Sequence, residues 1–417
     1  MTKPTLEYIL SGTSYIGLNS NKYVPESRAV FEQVMAVVEK NTEHKFGVLF
    51  NALVEKKNGE NIKKYLDGVV NSIHADSGGL QMVTLGLKSG DEEKLNVYKT
   101  QAEYCDIAMS FDEIPVIASK SSTTDYGGRT YDESLLEMSA VKTGQNLLKQ
   151  IEYFNSVGTS AKPLMIVQGN CYDTYMRWTD AVMSQIPQDM RDCIGGVAIG
   201  AAALGSGDLE EVEKSIIMAN LPGNFNHYHI LGVGSISRLL PTLVLMRGGV
   251  FDGKHISYDS TTHSSNTARG TYQRYYNDCI KLVSYPTGEE MPVHHAVLDD
   301  MCSIIGDLGG IASRELYLEC MLNGGGYFTE MDRAKDFNIG RTALCIASII
   351  NFCRNVEDII DPQKDFSRFT NKRNYLESFS TVRTKSDYDY WFRHVGRFLK
   401  SNRVESKDDS NLDFFFG

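Results

Sequence analysis

The sequence predicts an α/β fold, a (β/α)8 TIM barrel that carries a C-terminal helical, basic–aromatic elaboration. Three observations predict it. Short, continuously apolar runs recur along the chain, each ending in Gly, Asp or Asn, and unbroken apolarity suits parallel strands buried on both faces. Amphipathic stretches lie between these runs, and a repeated β-then-α order builds a parallel sheet. At least six such units occur, and no Gly-x-Gly-x-x-Gly opens the chain, which favours a barrel over a doubly wound sheet.

The strand candidates, in order, are "KFGVLFNAL" (45–53), the run ending in "HADSGGLQM" (74–82), "CDIAMSFDEIP" (105–115), "LMIVQGN" (164–170), "CIGGVAIGAAALG" (193–205), "HILGVGS" (229–235) and "HISYDS" (255–260). Residues 132–154 open with an acidic first turn, as helix starts do. Residues 208–220 and 235–249 also have helical patterns, and Pro241 is expected to kink the second. The barrel is assigned to residues 1–285. Region 286–417 is expected to be mostly helical, with a glycine break at 323–326. Its segment 368–403 holds nine Lys/Arg against three acids, interleaved with aromatics. That pattern fits a nucleic-acid-binding segment or a helical segment whose aromatics are core.

With 417 residues, 42% of them hydrophobic, the chain can bury a sizeable core. A formal charge of −11 argues against nonspecific adhesion to polyanions, so any nucleic-acid contact needs a local basic patch. The eight cysteines are scattered, without a Cys-x-x-Cys pair, as for buried thiols in a reducing compartment. There is no basic segment followed by an apolar core at the start, and no run of about 18 apolar residues. A cytoplasmic protein without a membrane span is expected.

In a barrel, chemistry sits where strands give way to their C-terminal loops. Asp76, Asp112, Gln168 and Asp259 fall at such ends. Taken singly, each aspartate also suits a cap or turn. Taken together they meet on one rim. Glycosyl transfer needs two carboxylates, one to attack the anomeric carbon and one to move a proton. Gln168 and Asp112 are the right types to hydrogen-bond a purine edge.

The motifs "ADSGGLQM", "SFDEIP", "IVQGN", "GGVAIG", "LGVGS" and "YDSTTHSSNTARG" resemble, in order and spacing, those of the tRNA-guanine transglycosylase superfamily. That superfamily exchanges guanine in a polynucleotide for a 7-deazaguanine base. The resemblance covers about residues 70–270. It implies that Asp259 is the nucleophile that forms a covalent glycosyl intermediate, and that Asp76 is the general acid/base. It implies that Asp112 and Gln168 bind the base edge, with a backbone contact from Gly196–Val197, and that Leu80 and Leu231 sandwich the base. Asp252 is a rival nucleophile. Asn266 and Arg269 are candidate contacts to sugar or phosphate. His263, an addition to the family pattern, suits a loop hydrogen-bonder better than a contact of that kind, although it too is a candidate.

Three departures from the family pattern shape the expectation. The zinc signature, Cys-x-Cys-x-x-Cys with a helical His, is missing, and Ile350 of "SIIN" stands where the His belongs. No structural zinc and no other cofactor is therefore expected. A substitute set from Cys279, His294, His295 and Cys302 is irregularly spaced, and the two adjacent histidines suit a surface or interface. Ala201 stands where enzymes that take an aminomethyl base carry Glu, which favours the neutral 7-cyano-7-deazaguanine, as does Val197 in place of Leu. The loop "YDSTTHSS" lacks the usual Cys and Arg. These departures are most like the branch that modifies DNA in bacteria and phages, with host cytoplasm the compartment for a phage enzyme. A tRNA substrate, a non-catalytic nucleic-acid-binding partner of such an enzyme, and an unrelated barrel using "LGVGS" as a phosphate loop are the alternatives. Loss of the zinc region leaves the oligomeric state open.

Overall fold

A computed structural model describes residues 3–11, 24–79, 90–118, 129–200, 208–223, 225–275, 279–282, 292–306, 308–310, 312–322, 331–370 and 373–396. Eight parallel strands close into a barrel. They are β1 (Thr5–Leu10), β2 (Lys45–Asn51), β3 (Ile73–Asp76), β4 (Ile107–Met109), then, after a short antiparallel pair β5 (Val116–Ala118) and β6 (Arg129–Tyr131), β7 (Lys162–Val167), β8 (Gly196–Ile199), β9 (His227–Ile230) and β10 (His255–Ser260). β1 pairs with β2 on one side and with β10 on the other, in the register Ile9 to Asp259, and this closes the ring. The TIM barrel that the alternating pattern predicts is the fold.

β1 has no counterpart among the apolar runs, because Thr5 and Glu7 interrupt it. Glu7 is nonetheless fully buried. Alternation across the strands explains why: one set of side chains enters the helical layer and the other the barrel interior. Tyr8, Ile256 and Tyr258 join the outer core. Inside, Met109, Leu164, Ile166 and Ala198 form an apolar half, capped by Leu231. The other half is polar, with Glu7, His74, His227, His229 and Ser257 all buried.

Helices α1 (Val24–Asn41), α2 (Lys56–Leu66), α3 (Asp91–Tyr104), α4 (Leu136–Val157), α5 (Tyr172–Met183), α6 (Asp208–Asn220) and α7 (Ile236–Arg247) return the chain between barrel strands. The acidic start expected at 132 is a 3-10 turn, where Asp132 accepts from the Ser134 N–H at 3.0 Å before α4 begins. The helix of α7 continues through Pro241. After β10 come α8 (Thr262–Ala268), the β-pair β11 (Thr271–Gln273) and β12 (Cys279–Lys281), then α9 (Pro292–Ile305), α10 (Arg314–Leu322) and α11 (Met331–Ile360). The glycines at 323–326 lie outside the described residues. α11 packs against α7 and α1 and so fills the eighth place of the helical ring. One apolar core runs through barrel and C-terminal helices alike, from Tyr8 and Phe46 to Phe352, Val356 and Trp391.

α12 (Arg373–Phe379) and α13 (Lys385–Trp391) follow, and a π-helical turn at Phe392–Gly396 extends α13. Arg383 donates to the Gly248 carbonyl, and the Asn220 amide donates to the Arg383 carbonyl at 3.0 Å. This anchors Arg383 at the C-terminal ends of α6 and α7. No helix among the described residues is long and apolar enough to cross a membrane.

Candidate active site

Six consecutive strands of the ring deliver polar or glycine positions to the C-terminal rim. Asp76 ends β3, Asp112 follows β4, Gln168 follows β7, Gly200 follows β8, Leu231–Gly232 follow β9, and Asp259 is the penultimate residue of β10. The structure thus gathers Asp76, Asp112, Gln168, Leu231 and Asp259 at one mouth. Leu80 lies outside the described residues, as does Ala201.

Asp259 is 8% exposed. Its Oδ1 accepts from the Gly232 N–H at 3.0 Å and lies 3.3 Å from His229 Nε2. Gly232 adopts φ +69°, a conformation that costs a glycine little, and this aims its N–H at the carboxylate. Asp252, the rival nucleophile, precedes β10 and sits at the opposite end of the barrel.

Asp76 is half-buried at the rim, and its Oδ2 accepts from Asn51 Nδ2 at 3.4 Å. Asn51 ends β2 directly beside Asp76 and is itself held by the Leu53 and Val54 N–H groups. Burial pushes the Asp76 carboxyl up to about 6. Backbone N–H groups of Gly78 and Ser77 oppose that shift, and the charge of Asp259 adds to it. The two aspartates therefore feel each other across the mouth. Ser77 Oγ, beside Asp76, is buried without a hydrogen-bond partner.

Asp112 is 6% exposed and accepts from Gln168 Nε2 at 2.9 Å. Burial pushes it up to about 7. The Gln168 hydrogen bond opposes the shift, and the charge of Asp76 adds to it. A side chain at Gly79 would collide with Asp112 Oδ1, and one at Gly200 would collide with the Gln168 amide. Both glycines are needed so that backbone can pass this close to the pair. Leu231, half-buried, packs on the apolar interior formed by Met109, Leu164, Ile166 and Ala198. The arrangement brings together the Asp259 carboxylate, the Asp76 carboxyl with its raised pKa and an edge of donors and acceptors over an apolar floor.

Several expectations are corrected. Gly196 and Val197 begin β8 at the N-terminal end of the barrel, where Gly196 packs on the His227 backbone and Val197 enters the outer core. They cannot provide a base contact at the rim. The rim position of this strand is Gly200, and residues 201–207 beyond it lie outside the described residues. His263 is buried in α8 between the rings of Tyr8 and Phe352, at centroid distances of 5.8 and 4.8 Å. Burial lowers its pKa to about 4. Its helical position turns it into the outer layer, away from the barrel mouth. Asn266 is half-buried on the same short helix, and Arg269, just past its end, is exposed.

His294 is buried rather than superficial, because it shares the inner face of α9 with Val297, Leu298 and Met301. Among the described residues, no three His, Cys, Asp or Glu side chains group to hold a metal ion. In the basic–aromatic segment, Phe379, Tyr388 and Trp391 are core. Arg368 pairs with Asp358, and Lys385 pairs with Asp389. Tyr390, 62% exposed and stacked on His394 at 4.2 Å, is the described aromatic that faces outward. Residues 397–403 of the segment lie outside the described residues.

Sequence reasoning missed Asn51, His229 and Ser257. Asn51 had a usable signal, since it ends an apolar run as the rim aspartates do. No family model matches the chain, and no curated protein matches it.

Proposed function

We propose that this chain is a guanine transglycosylase that exchanges a guanine in DNA for a 7-deazaguanine base, the 7-cyano form, through a covalent Asp259–glycosyl intermediate. The observation that carries the reading is the pairing of Asp76 and Asp259 on one rim beside the Asp112–Gln168 edge. In this scheme an Asp259 oxygen attacks C1′ as the C1′–N9 bond breaks. Asp76 gives a proton to the departing guanine, and its value of about 6 suits proton transfer near neutrality. The incoming base returns a proton from its N9–H to Asp76, and N9 then displaces Asp259 from C1′. Asp112 and Gln168 hold the base edge, and Leu231 supports one face. A duplex substrate has to present its guanine flipped out of the stack, at about a few kcal/mol.

The reading draws on motif order, on departures from the tRNA-acting pattern and on rim geometry. The test incubates duplex DNA and tRNA separately with labelled 7-cyano-7-deazaguanine. Label in DNA supports the proposal. Label only in tRNA moves the assignment to the tRNA-acting branch, and label in neither contradicts transglycosylation of both substrates.

A further inference from the structure

A chain of polar side chains descends from Asp259 through the barrel interior. His229 Nε2 lies 3.3 Å from Asp259 Oδ1, and His229 Nδ1 lies 2.8 Å from Ser257 Oγ. Ser257 Oγ in turn lies 2.6 Å from His227 Nε2. His227 stacks on His255 at 4.1 Å, and His255 Nε2 is 2.9 Å from Glu7 Oε2. His229 and Ser257 are fully buried.

For a neutral His229 the donor and acceptor inventory gives this chain one direction. A carboxylate only accepts, so His229 carries its proton on Nε2. A neutral ring then has a bare Nδ1, which accepts the Ser257 hydroxyl proton. Ser257 Oγ is left to accept from His227 Nε2–H. A doubly protonated His229 would reverse the chain, with Ser257 donating to a bare His227 Nε2. Burial, followed by the neighbouring His255 and His229, holds His227 well below the usual histidine range. Both described hydrogen bonds to Asp259 fall on Oδ1, from His229 and from the Gly232 N–H.

We propose that His229, locked in its Nε2–H tautomer by Ser257 and His227, is a positioning residue that pins Asp259 Oδ1 and leaves Oδ2 as the attacking oxygen. Only the identity of what Oδ2 attacks rests on the transglycosylase reading. The geometry of the chain stands apart from it.

Two measurements test the proposal. Nitrogen-15 NMR of the histidine-labelled free protein is expected to show His229 as the neutral Nε2–H tautomer, with its resonance moved by Ser257→Ala. An Nδ1–H tautomer or a charged ring overturns the proposal whether or not the protein exchanges bases. The second is single-turnover adduct formation on the DNA substrate. His229→Leu removes a hydrogen bond to a charged group and is expected to slow the step about 10- to 100-fold with an unchanged KM for the base. His229→Gln, which keeps an N–H near the Nε2 position, is expected to recover most of that rate. Equal losses in the two variants, or no loss in His229→Leu, overturn it. A wild-type protein that shows the tautomer but exchanges no base fails the functional reading alone.

Discussion

Gln168 donates its side-chain amide to Asp112 Oδ2 at 2.9 Å, joining the loops after two neighbouring barrel strands into one hydrogen-bonding edge. Gln168→Leu would leave Asp112 buried without that donor. The expected outcome is a rise of about 10- to 100-fold in KM for the base, with kcat changed less. Steady-state exchange of labelled base measures both.

Gly79 passes so close to Asp112 that a Cβ there would strike Oδ1. Gly79→Ala is expected to displace the Asp112 carboxyl, weaken base binding as Gln168→Leu does, and destabilise the fold by about 1–3 kcal/mol. Urea unfolding beside base titration checks the two effects. A variant with wild-type affinity would contradict the proposed base edge.

Asp76 and Asp112 both titrate higher in the folded chain, at about 6 and about 7, than in the unfolded chain, where such carboxyls sit near about 4. The folded state therefore holds more protons in between. Stability falls as pH rises through about 4 to 7, and their contribution is fully lost above that window. Asp112→Asn removes its share of the slope. The variant is expected to melt about 2–5 °C above wild type at pH 8 and to show little gain at pH 4. An equal shift at both values would contradict the burial argument.

Asp76→Asn keeps the side-chain shape and removes the titrating group. Exchange is expected to fall about 10²- to 10⁴-fold, the range for loss of a positioned acid or base. The melting temperature above pH 7 is not expected to drop, because a partly buried ionised carboxylate has been removed. Rate and melting curves on the same preparation decide.

The barrel was legible because its strands are buried on both faces, and Asp76, Asp112, Gln168 and Asp259 stood out as polar ends of apolar runs. β1 was hidden by Glu7, whose charge reads as surface until the polar half of the interior is seen. The β8 region misled through its composition. "GGVAIG" and "GAAALG" are both bracketed by glycines, and only the register with β7 shows that Gly196 lies at the wrong end. His263 sat in a rim motif, yet one turn of helix carries it into the outer core. His229 and Ser257 were invisible for another reason. Their partners lie on different strands, 28 residues apart in sequence, and no local spacing encodes that pairing.

The central claim is that Asp259 forms a covalent bond to the sugar. Duplex DNA and 7-cyano-7-deazaguanine are mixed with the protein, quenched, digested and analysed by mass spectrometry for a glycosyl adduct. The account predicts an adduct on the peptide carrying Asp259, and loss of both adduct and base exchange in Asp259→Asn. Exchange that persists in Asp259→Asn, or an adduct on a different carboxylate, would contradict it.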